Sequence, residues 1–348
     1  MSFTPLTLLA AVLVVLHAVP PATAADAAGE PVKLKAAHVA DESFAWHKAL
    51  ERFRDIARTK SGNTIDVQIY PNGMLGTEKD YIQYLVQGVL DVSPVSSVAA
   101  SQVAREVSFL ELLCLWKDQD HWQRALDGDV GRNLGEVLEK ATAKGNNPGF
   151  RVLGYWGGTE VHVAARTRGY QTLKELAGLK LRTQESPLQL ELWKALGAEP
   201  VSLPVQSTLT ALQKGVIVDG LDGTFVSLLA MKVEGNAPHI SLTGHVTSVR
   251  PLFMSGHTWR KLSALQQKAI VEAAREATLL ARTLELQQSQ EAEAQLKAKT
   301  NVRFYAFKEK QLMRDQTQGI RQRVAAEMGL QSLLEAVDAA WAEKPRKK

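Results

Sequence analysis

The chain has 348 residues, 41 Lys and Arg against 37 Asp and Glu, a formal net charge of +4 and one cysteine. The charges are spread along the chain without a basic stripe, which argues against a nucleic-acid-binding protein and fits a small anionic ligand. Cys114 has no partner for an intrachain disulfide, and its leucine neighbours predict a buried thiol. The length predicts two domains.

The N-terminus has the pattern of an export signal. Residues 6–16 form an apolar run broken only by Thr7, and Ala22-Thr23-Ala24 matches an A-x-A cleavage pattern. The run is shorter than the roughly 20 residues that a membrane-spanning helix needs. We therefore expect residues 1–24 to be a signal peptide, cleaved near Ala24, and the mature protein to lie in the periplasm. A retained N-terminal anchor is the alternative.

The first part of the mature chain alternates patterns of strands and helices. Apolar residues that alternate with polar ones predict strands, and apolar residues spaced for one face predict helices. The predicted elements are a strand at 32–39, a helix at 44–60, a strand at 64–70, a helix at 78–87, a strand from 88, helices at 107–115, 122–126 and 130–144, and a strand at 152–156.

The same alternation returns at residues 178–223, where apolar strands and capped helices follow one another. Residues 84–92 resemble residues 211–219, since each stretch has a helix end, a glycine and a strand that ends near an aspartate. These patterns predict an α/β fold with two similar lobes, each built on a parallel sheet covered by helices.

The C-terminal part is predicted to be mostly helical. Ser263 and Gln266 form a capping-box pattern that opens a long helix ending near Lys299. At about 1.5 Å per residue such a helix would be about 54 Å long and would span both lobes. A strand at 301–307, one or two helices within 309–342 and a solvated basic tail complete the chain.

Arg182 is the strongest candidate for a ligand-binding residue. It lies where a predicted strand ends and the next helix begins, and ligands of open α/β sheets bind at that edge. The planar guanidinium of an arginine can make two charge-assisted hydrogen bonds to a carboxylate. The alternative is that Arg182 only pairs with Glu160 or Glu185 at the surface.

Several short motifs, in a consistent order between Val32 and Glu276, resemble the substrate-binding proteins of tripartite ATP-independent periplasmic (TRAP) transporters. That family includes binders of C4-dicarboxylates, sialic acid and ectoine. The motifs are Tyr70-Pro-Asn-Gly-Met-Leu-Gly76, Asp91-Val-Ser, Gly178-Leu-Lys-Leu-Arg182, Leu196-Gly-Ala, Ala211-Leu-Gln-Lys-Gly215, Val218-Asp-Gly220, Leu242-Thr-Gly-His245 and Trp259-Arg-Lys-Leu262.

The resemblance implies a periplasmic-binding-protein-like fold, with two α/β lobes joined by crossing strands and a long helix and closing on a ligand in a central cleft. It implies lobe boundaries at residues 25–156 plus 245–257 for the first lobe and 157–244 for the second. Residues 258–348 would then pack on both lobes. It further implies that Arg182 holds the carboxylate of the ligand.

Two departures from the family pattern affect the expected ligand. Glu160 follows Gly158-Thr159, where relatives often carry a second arginine, and Leu221-Asp222-Gly223 stands where relatives often carry Gln-Glu-Asn. A second cationic or amide contact is therefore expected to be missing, and a dianionic ligand is less favoured. Other candidates lie at strand ends or at matching positions: His38, Ser96, Ser97, Trp156, Glu160, Val205, Asp222, Gly223 and Phe225.

Several interpretations of Glu160, Asp222 and the histidines are possible from the sequence. Glu160 could accept an ammonium group of a zwitterionic ligand, orient Arg182, or simply be exposed. Asp222 with Asp219 lacks the companion ligands that a metal site needs, and the histidines show no H-x-x-x-H pattern, so no metal or other cofactor is expected.

The sequence predicts an extracytoplasmic solute-binding protein. It would capture a small organic acid and deliver it to the membrane subunits of a TRAP transporter, as a monomer and without enzymatic activity. No nucleophile elbow, P-loop or dinucleotide fingerprint is present. The alternatives are a binder of a zwitterionic compatible solute, a sensory ligand receptor, and a periplasmic enzyme that uses Glu160 and Asp222 as acid and base.

Overall fold

The strands and helices occur in the order that the sequence patterns predict. The computed structural model describes residues 31–342, so the predicted signal peptide and the basic tail lie outside the described residues. The strands are β1 (Val32–Ala37), β2 (Ile65–Tyr70), β3 (Val92–Pro94), β4 (Phe150–Ala165), β5 (Lys180–Thr183), β6 (Glu199–Ser202), β7 (Gly220–Gly223), β8 (His239–Ser255) and β9 (Arg303–Ala306).

Helices lie between these strands and follow the last of them. A 3-10 helix covers Arg105–Glu111. The α-helices are α1 (Ala45–Lys60), α2 (Glu78–Gln87), α3 (Ser97–Ala100), α4 (Gln119–Asp127), α5 (Asp129–Thr142), α6 (Leu173–Leu176), α7 (Pro187–Ala195), α8 (Val205–Lys214), α9 (Phe225–Ala230), α10 (Val233–Asn236), α11 (Gly256–Lys261), α12 (Ala264–Ala298), α13 (Lys310–Gln316), α14 (Gln318–Glu327) and α15 (Gln331–Ala342).

The sheet has two halves joined by two long antiparallel strands. Its order is β2-β1-β3-β8-β4-β7-β5-β6, and β9 pairs with β8. β1, β2 and β3 are parallel and make the first half with the carboxyl end of β8, while β5, β6 and β7 are parallel and make the second half with the carboxyl end of β4. β4 and β8 therefore belong to both halves, which confirms the expected crossing strands.

The ladder between β4 and β8 is irregular where the chain passes from one half to the other. Register shifts occur between Val152 and Gly154, between Gly157 and Glu160, and between Val161 and Val163. Gly157 and Gly158 have φ angles of 107° and 102°, which side chains with a Cβ rarely adopt. A bulge of this kind bends and twists a strand.

Helices cover both faces of each half. In the first half, Tyr81, Trp122 and Phe253 belong to one buried cluster, and Phe53 and Trp156 to the cluster on the other face. The second half is arranged in the same way, with one cluster around Trp193 and Leu181 and another around Leu221, Leu228 and Ile240. The predicted boundaries of the two lobes stay a prediction, because the shared strands make one continuous sheet.

α12 connects the two halves. Ser263 accepts a hydrogen bond from the Gln266 backbone N–H at 3.3 Å, and the Gln266 side chain accepts one from the Ser263 N–H at 2.9 Å. This reciprocal cap confirms the predicted start of the helix. Ile270 packs in the first half and Leu296 in the second, so α12 spans both, as predicted. Within residues 31–342, no helix combines the length and apolarity that a membrane crossing requires.

The predicted helix at 107–115 is wrong in its second half. The 3-10 helix ends at Glu111, and Cys114 has a left-handed φ of 49°. The reason is that this segment passes between the halves. Leu112 packs in a cluster of the first half, Leu113 packs in a cluster of the second, and the Cys114 N–H donates to the His245 carbonyl at 2.7 Å instead of continuing a helix.

Candidate ligand-binding cleft

A cavity of about 430 Å³ lies between the two halves of the sheet. Its volume is within the range of about 300–1,000 Å³ that is common for small-molecule sites. The lining comes from both halves, from both crossing strands and from α12. The residues that carry the polar lining are Ser96, Ser97, Glu111, Thr159, Arg182, Gln184, Gln189, Asp222, Thr224, Ser227, Thr247, Ser248, Arg250, Glu285 and Gln288, with Phe44 and Trp46 among the aromatic and apolar ones.

Arg182 is a buried guanidinium that lines this cavity. It lies in β5, paired with Val201 on one side and Leu221 on the other, and only 5% of its surface is exposed. Its Nε and Nη2 donate to the Leu203 carbonyl at 3.0 and 2.8 Å. Nη1 makes no hydrogen bond to any described residue, so this nitrogen can donate to a ligand.

The electrostatic surroundings of Arg182 leave it short of counter-charge. Burial lowers the pKa of its guanidinium, and the charges of Asp222 and Glu185 only partly oppose that effect. No ion pair joins Arg182 to a carboxylate in the described part of the chain. Asp222 instead lies 3.5 Å from His245 Nε2, and both side chains are buried. A negatively charged ligand would supply the charge that Arg182 lacks.

Arg250 is a second guanidinium in the lining, although the sequence predicted that no second cationic contact would be present. It lies in β8, stacks on Trp46 with its Cζ 3.7 Å from the ring centroid, and pairs with Glu78. Glu78 neutralises the charge of Arg250, so Arg250 offers little net charge to a ligand. Its stacking on Trp46 supports the aromatic wall of the cavity. An arginine inside the apolar run of residues 249–254 was the signal in the sequence that could have revealed it.

Two further carboxyl side chains in the lining were not predicted from the sequence. Glu285, on α12, accepts a hydrogen bond from the Gly157 N–H at 3.1 Å, and burial raises its pKa to about 7 against the opposing effect of Arg250. Glu111 is 1% exposed, accepts the Ser186 hydroxyl at 2.5 Å, and has a pKa that burial likewise raises to about 7. Neither carries a sequence motif that marks it.

The structure brings five of the predicted candidates to the cavity. Arg182 and Asp222 end neighbouring strands of the second half, and Gly223 follows Asp222. Ser96 and Ser97 come from the first half, where the Ser96 hydroxyl caps α3 and donates to Glu78 at 2.5 Å. The carboxyl ends of strands from both halves therefore meet at one cavity, where ligands of open α/β sheets bind.

Trp156 and Glu160 do not line the cavity, which corrects their assignment as candidates. Gly157, Thr159 and Val161 line it, and alternate residues of a strand point to opposite faces. Trp156 is fully buried and donates from Nε1 to Thr278 Oγ1 at 3.1 Å. Glu160 has a side chain that is 47% exposed and pairs with Lys310 at 2.9 Å, so it neither lines the cavity nor orients Arg182.

His38 and Phe225 also lie away from the cavity lining. His38 is 1% exposed, and its Nε2 is 3.0 Å from His47 Nδ1. Burial, together with the charges of His47 and Arg250, lowers the pKa of His38 to about 4. Phe225 turns toward His162, with the ring centroids 4.6 Å apart. The side chain of Val205 is outside what the structure describes.

A metal site is not formed by the described acidic and histidine side chains. Within residues 31–342, no group of three or more His, Cys, Asp or Glu side chains could hold a metal ion.

A sheet in two halves, joined by crossing strands and enclosing a cavity with an arginine, is the architecture of a solute-binding protein that closes on its ligand. The family described as bacterial extracellular solute-binding protein, family 7 (DctP) matches residues 36–327. The chain belongs to this family, whose members are extracytoplasmic proteins that bind solutes and are not enzymes, and this confirms the resemblance to TRAP substrate-binding proteins.

Individual relatives agree with this assignment. The chain is 31% identical, over 88% of its length and 91% of the relative, to a solute-binding protein of Sulfitobacter sp. (strain NAS-14.1). It superposes with a TM-score of 0.79 on a TRAP periplasmic solute binding protein from Sulfitobacter sp. NAS-14.1 with bound alpha-D-taluronate, at 28% identity over 88% of this chain and 97% of the other. It also superposes on a TRAP periplasmic solute binding protein from Pseudomonas putida F1 with bound D-glucuronate. The TM-score is 0.78, and the identity is 26% over 90% of this chain and 98% of the other.

Proposed function

We propose that this protein captures a hydroxylated monocarboxylate, such as a sugar acid, in the cleft and delivers it to the membrane subunits of a TRAP transporter. The observation that carries the proposal is the buried guanidinium of Arg182, which lines the cavity and whose Nη1 has no hydrogen-bond partner among the described residues. A carboxylate provides the acceptor and the charge that this group lacks. The relatives from Sulfitobacter and Pseudomonas hold a taluronate and a glucuronate, which are carboxylates of this kind.

The rest of the lining favours one carboxylate rather than two. Arg250 is paired with Glu78, so it offers no net positive charge to a second carboxylate. Glu111 and Glu285 would repel a second anion whenever they are ionised. Most of the remaining polar residues in the lining carry hydroxyl or amide groups, which can hydrogen-bond to the hydroxyl groups of a ligand.

Binding would shift the protein toward a closed form. The cavity takes lining from both halves, so a ligand that contacts both stabilises the arrangement in which they approach each other. A dissociation constant of 1 μM corresponds to a binding free energy of about −8 kcal/mol. A hydrogen bond to a charged group contributes about 1.5–3 kcal/mol, so the remainder would come from the other polar contacts and from Trp46 and Phe44.

We also propose that the protein acts as a monomer in the periplasm after cleavage near Ala24. The pattern of residues 1–24 supports export, and extracytoplasmic location is a property of the family. Mass spectrometry of the exported protein would test the cleavage position, and an N-terminus before residue 20 would contradict it.

Calorimetric titration with D-glucuronate, succinate and ectoine tests the ligand class. We expect D-glucuronate to bind more tightly than succinate, because Arg182 is the one guanidinium without an ion pair among the described residues that line the cavity, and we expect ectoine to bind weakly. Binding of ectoine alone would contradict the proposal. Lys180→Ala is a matched control for variants of Arg182, since Lys180 is exposed on the same strand and does not line the cavity.

A zwitterion is the second candidate, because three carboxyl side chains line the cavity. Asp222 and Glu285 lie in the same lining as Arg182 and could receive an ammonium group while Arg182 holds the carboxylate. In the same titrations, Glu285→Gln should weaken binding of a zwitterion, because the carboxylate that attracts its ammonium group is lost. A sugar acid has no ammonium group, so its affinity should not fall for that reason.

A further inference from the structure

Most polar side chains in the cavity already have partners within the protein. Thr159 and Ser248 share a hydrogen bond at 3.0 Å, and Gln288 accepts one from the Ala45 N–H at 3.2 Å. Glu111 and Gln189 differ from this pattern. Glu111 Oε1 and Gln189 Oε1 are buried, and neither accepts a hydrogen bond from any described group.

Ser186 holds these two residues next to each other. Its hydroxyl caps α7 by accepting the Gln189 N–H at 3.3 Å, and the same hydroxyl donates to Glu111 Oε2 at 2.5 Å. Glu111 ends the 3-10 helix, and Gln189 lies in the first turn of α7. They are 1% and 4% exposed, and both line the cavity.

This corner of the cavity lacks a positive charge. Glu111 forms no ion pair with the described residues, and burial raises its pKa to about 7 with only the Ser186 hydrogen bond opposing it. Around neutral pH much of Glu111 is therefore uncharged, and Gln189 is always neutral. A ligand hydroxyl matches such a pair, because it can donate to one oxygen and also accept from a protonated carboxyl group.

The corner belongs to the same cavity as Arg182 and is close to it along the chain. Arg182 and Ser186 are four residues apart along the chain, so they are separated by no more than about 14 Å. Arg182, Glu111 and Gln189 all line one cavity. A ring with a carboxylate at one side and hydroxyl groups around it can contact both places.

We propose that Glu111 and Gln189 form a hydroxyl-recognition subsite that makes the protein select hydroxylated carboxylates over plain ones. This inference rests on the proposed function, since the carboxylate on Arg182 places the hydroxyl groups. It assigns specificity to two residues that belong to different segments of the chain, with Ser186 as the residue that positions them.

Two probes with the same ring separate recognition of the hydroxyl groups from recognition of the carboxylate. D-glucuronate carries both, whereas tetrahydropyran-2-carboxylate has the ring and the carboxylate without hydroxyl groups. Their affinities would be measured by calorimetry for the wild type, Glu111→Leu, Gln189→Met and Glu111→Gln. Methionine is about the size of glutamine, and Gln189 Oε1 accepts no hydrogen bond from a described residue, so Gln189→Met should not lose stability through a broken bond. It therefore tests recognition even if Glu111→Leu loses stability.

We expect the ratio of the two affinities to fall about tenfold in Glu111→Leu and in Gln189→Met, with the affinity for tetrahydropyran-2-carboxylate unchanged. Glu111→Gln retains a carbonyl oxygen and should stay within about threefold of the wild type. An unchanged ratio in Gln189→Met, or an equal loss for both probes, would overturn the subsite while leaving the proposed function intact. If the wild type binds neither probe, the proposed function fails and the subsite falls with it.

Discussion

Arg182 donates two hydrogen bonds, from Nε and Nη2, to a single acceptor, the carbonyl oxygen of Leu203. Leu203 lies in the link between β6 and α8, so the guanidinium joins the end of β5 to the start of the next crossover. The bonds hold the side chain in place before any ligand arrives, which lowers the entropic cost of binding. We therefore expect the same arginine to contribute to both the fold and ligand binding.

Arg182→Ala should weaken binding of D-glucuronate by about 10- to 100-fold, because a charge-assisted contact to the carboxylate is lost. It should also lower the free energy of unfolding by about 1–3 kcal/mol, since the Leu203 carbonyl loses both donors. Calorimetry and urea denaturation measure the two effects. Lys180→Ala should change neither, and an Arg182→Ala variant with normal affinity would remove Arg182 from the site.

The Arg250–Glu78 pair should be more important for stability than for charge in the site. Arg250→Met leaves Glu78 without its cation, although both side chains are only 16% exposed, and should cost about 3 kcal/mol of unfolding free energy. Arg250→Met with Glu78→Gln should recover part of that loss, because the unpaired charge is gone. A double-mutant cycle with no coupling between the two positions would contradict this role.

Thr278→Val tests the structural role of Trp156. The substitution keeps the shape of the side chain but removes the acceptor of the Trp156 Nε1 hydrogen bond. We expect a loss of about 1–2 kcal/mol in stability and no change in ligand affinity. A clear loss of affinity at unchanged stability would return Trp156 to the ligand site.

Glu111 should make stability fall as the pH rises. Its pKa is raised from 4.5 to about 7 in the folded protein, so the group favours folding below pH 4.5 and loses that contribution as the pH rises through 7. The shift corresponds to about 3 kcal/mol. Relative to the wild type, Glu111→Gln should therefore gain stability between pH 5 and pH 8 in urea denaturation. If the free energy of unfolding depended on pH in the same way for the two proteins, Glu111 would not titrate as described.

His38 changes the free energy of unfolding with pH in the opposite direction to Glu111. The wild type must therefore be compared with Glu111→Gln to isolate the contribution of Glu111. The pKa of His38 is lowered from 6.5 to about 4, so its contribution to stability is lost as the pH falls through that range. The wild-type curve alone would combine both effects.

Gly157 should be the least replaceable glycine of the crossing strands. Its φ is 107°, and an added Cβ would lie 2.3 Å from the Ser248 carbonyl oxygen. Gly157→Ala should cost more than about 3 kcal/mol, because the backbone strain and the clash add. Gly178→Ala is the control, since φ is 75° there but nothing lies within 4 Å, and it should cost about 1 kcal/mol. Similar thermal stability of the two variants would contradict the expectation.

Local patterns in the sequence were enough to predict much of the fold. The capping box at Ser263 and Gln266 determines where α12 starts, because the cap is made by residues three apart. The alternation of apolar strands and capped helices likewise follows from near neighbours. Arg182 could be found because its place at the end of a strand is a local property, and the edge of the sheet where such ends meet follows from the parallel topology.

Only the tertiary structure decided which side chains enter the cavity. Trp156 and Glu160 are close in sequence to Gly157 and Thr159, but alternate residues of β4 point to opposite faces, and only the packed sheet shows which face lines the cavity. Glu111, Arg250 and Glu285 come from distant parts of the chain and meet only when the halves pack. Charge and hydrogen bonding at such a site depend on burial and on neighbours far along the chain, whereas strand and helix formation depends on residues a few positions apart.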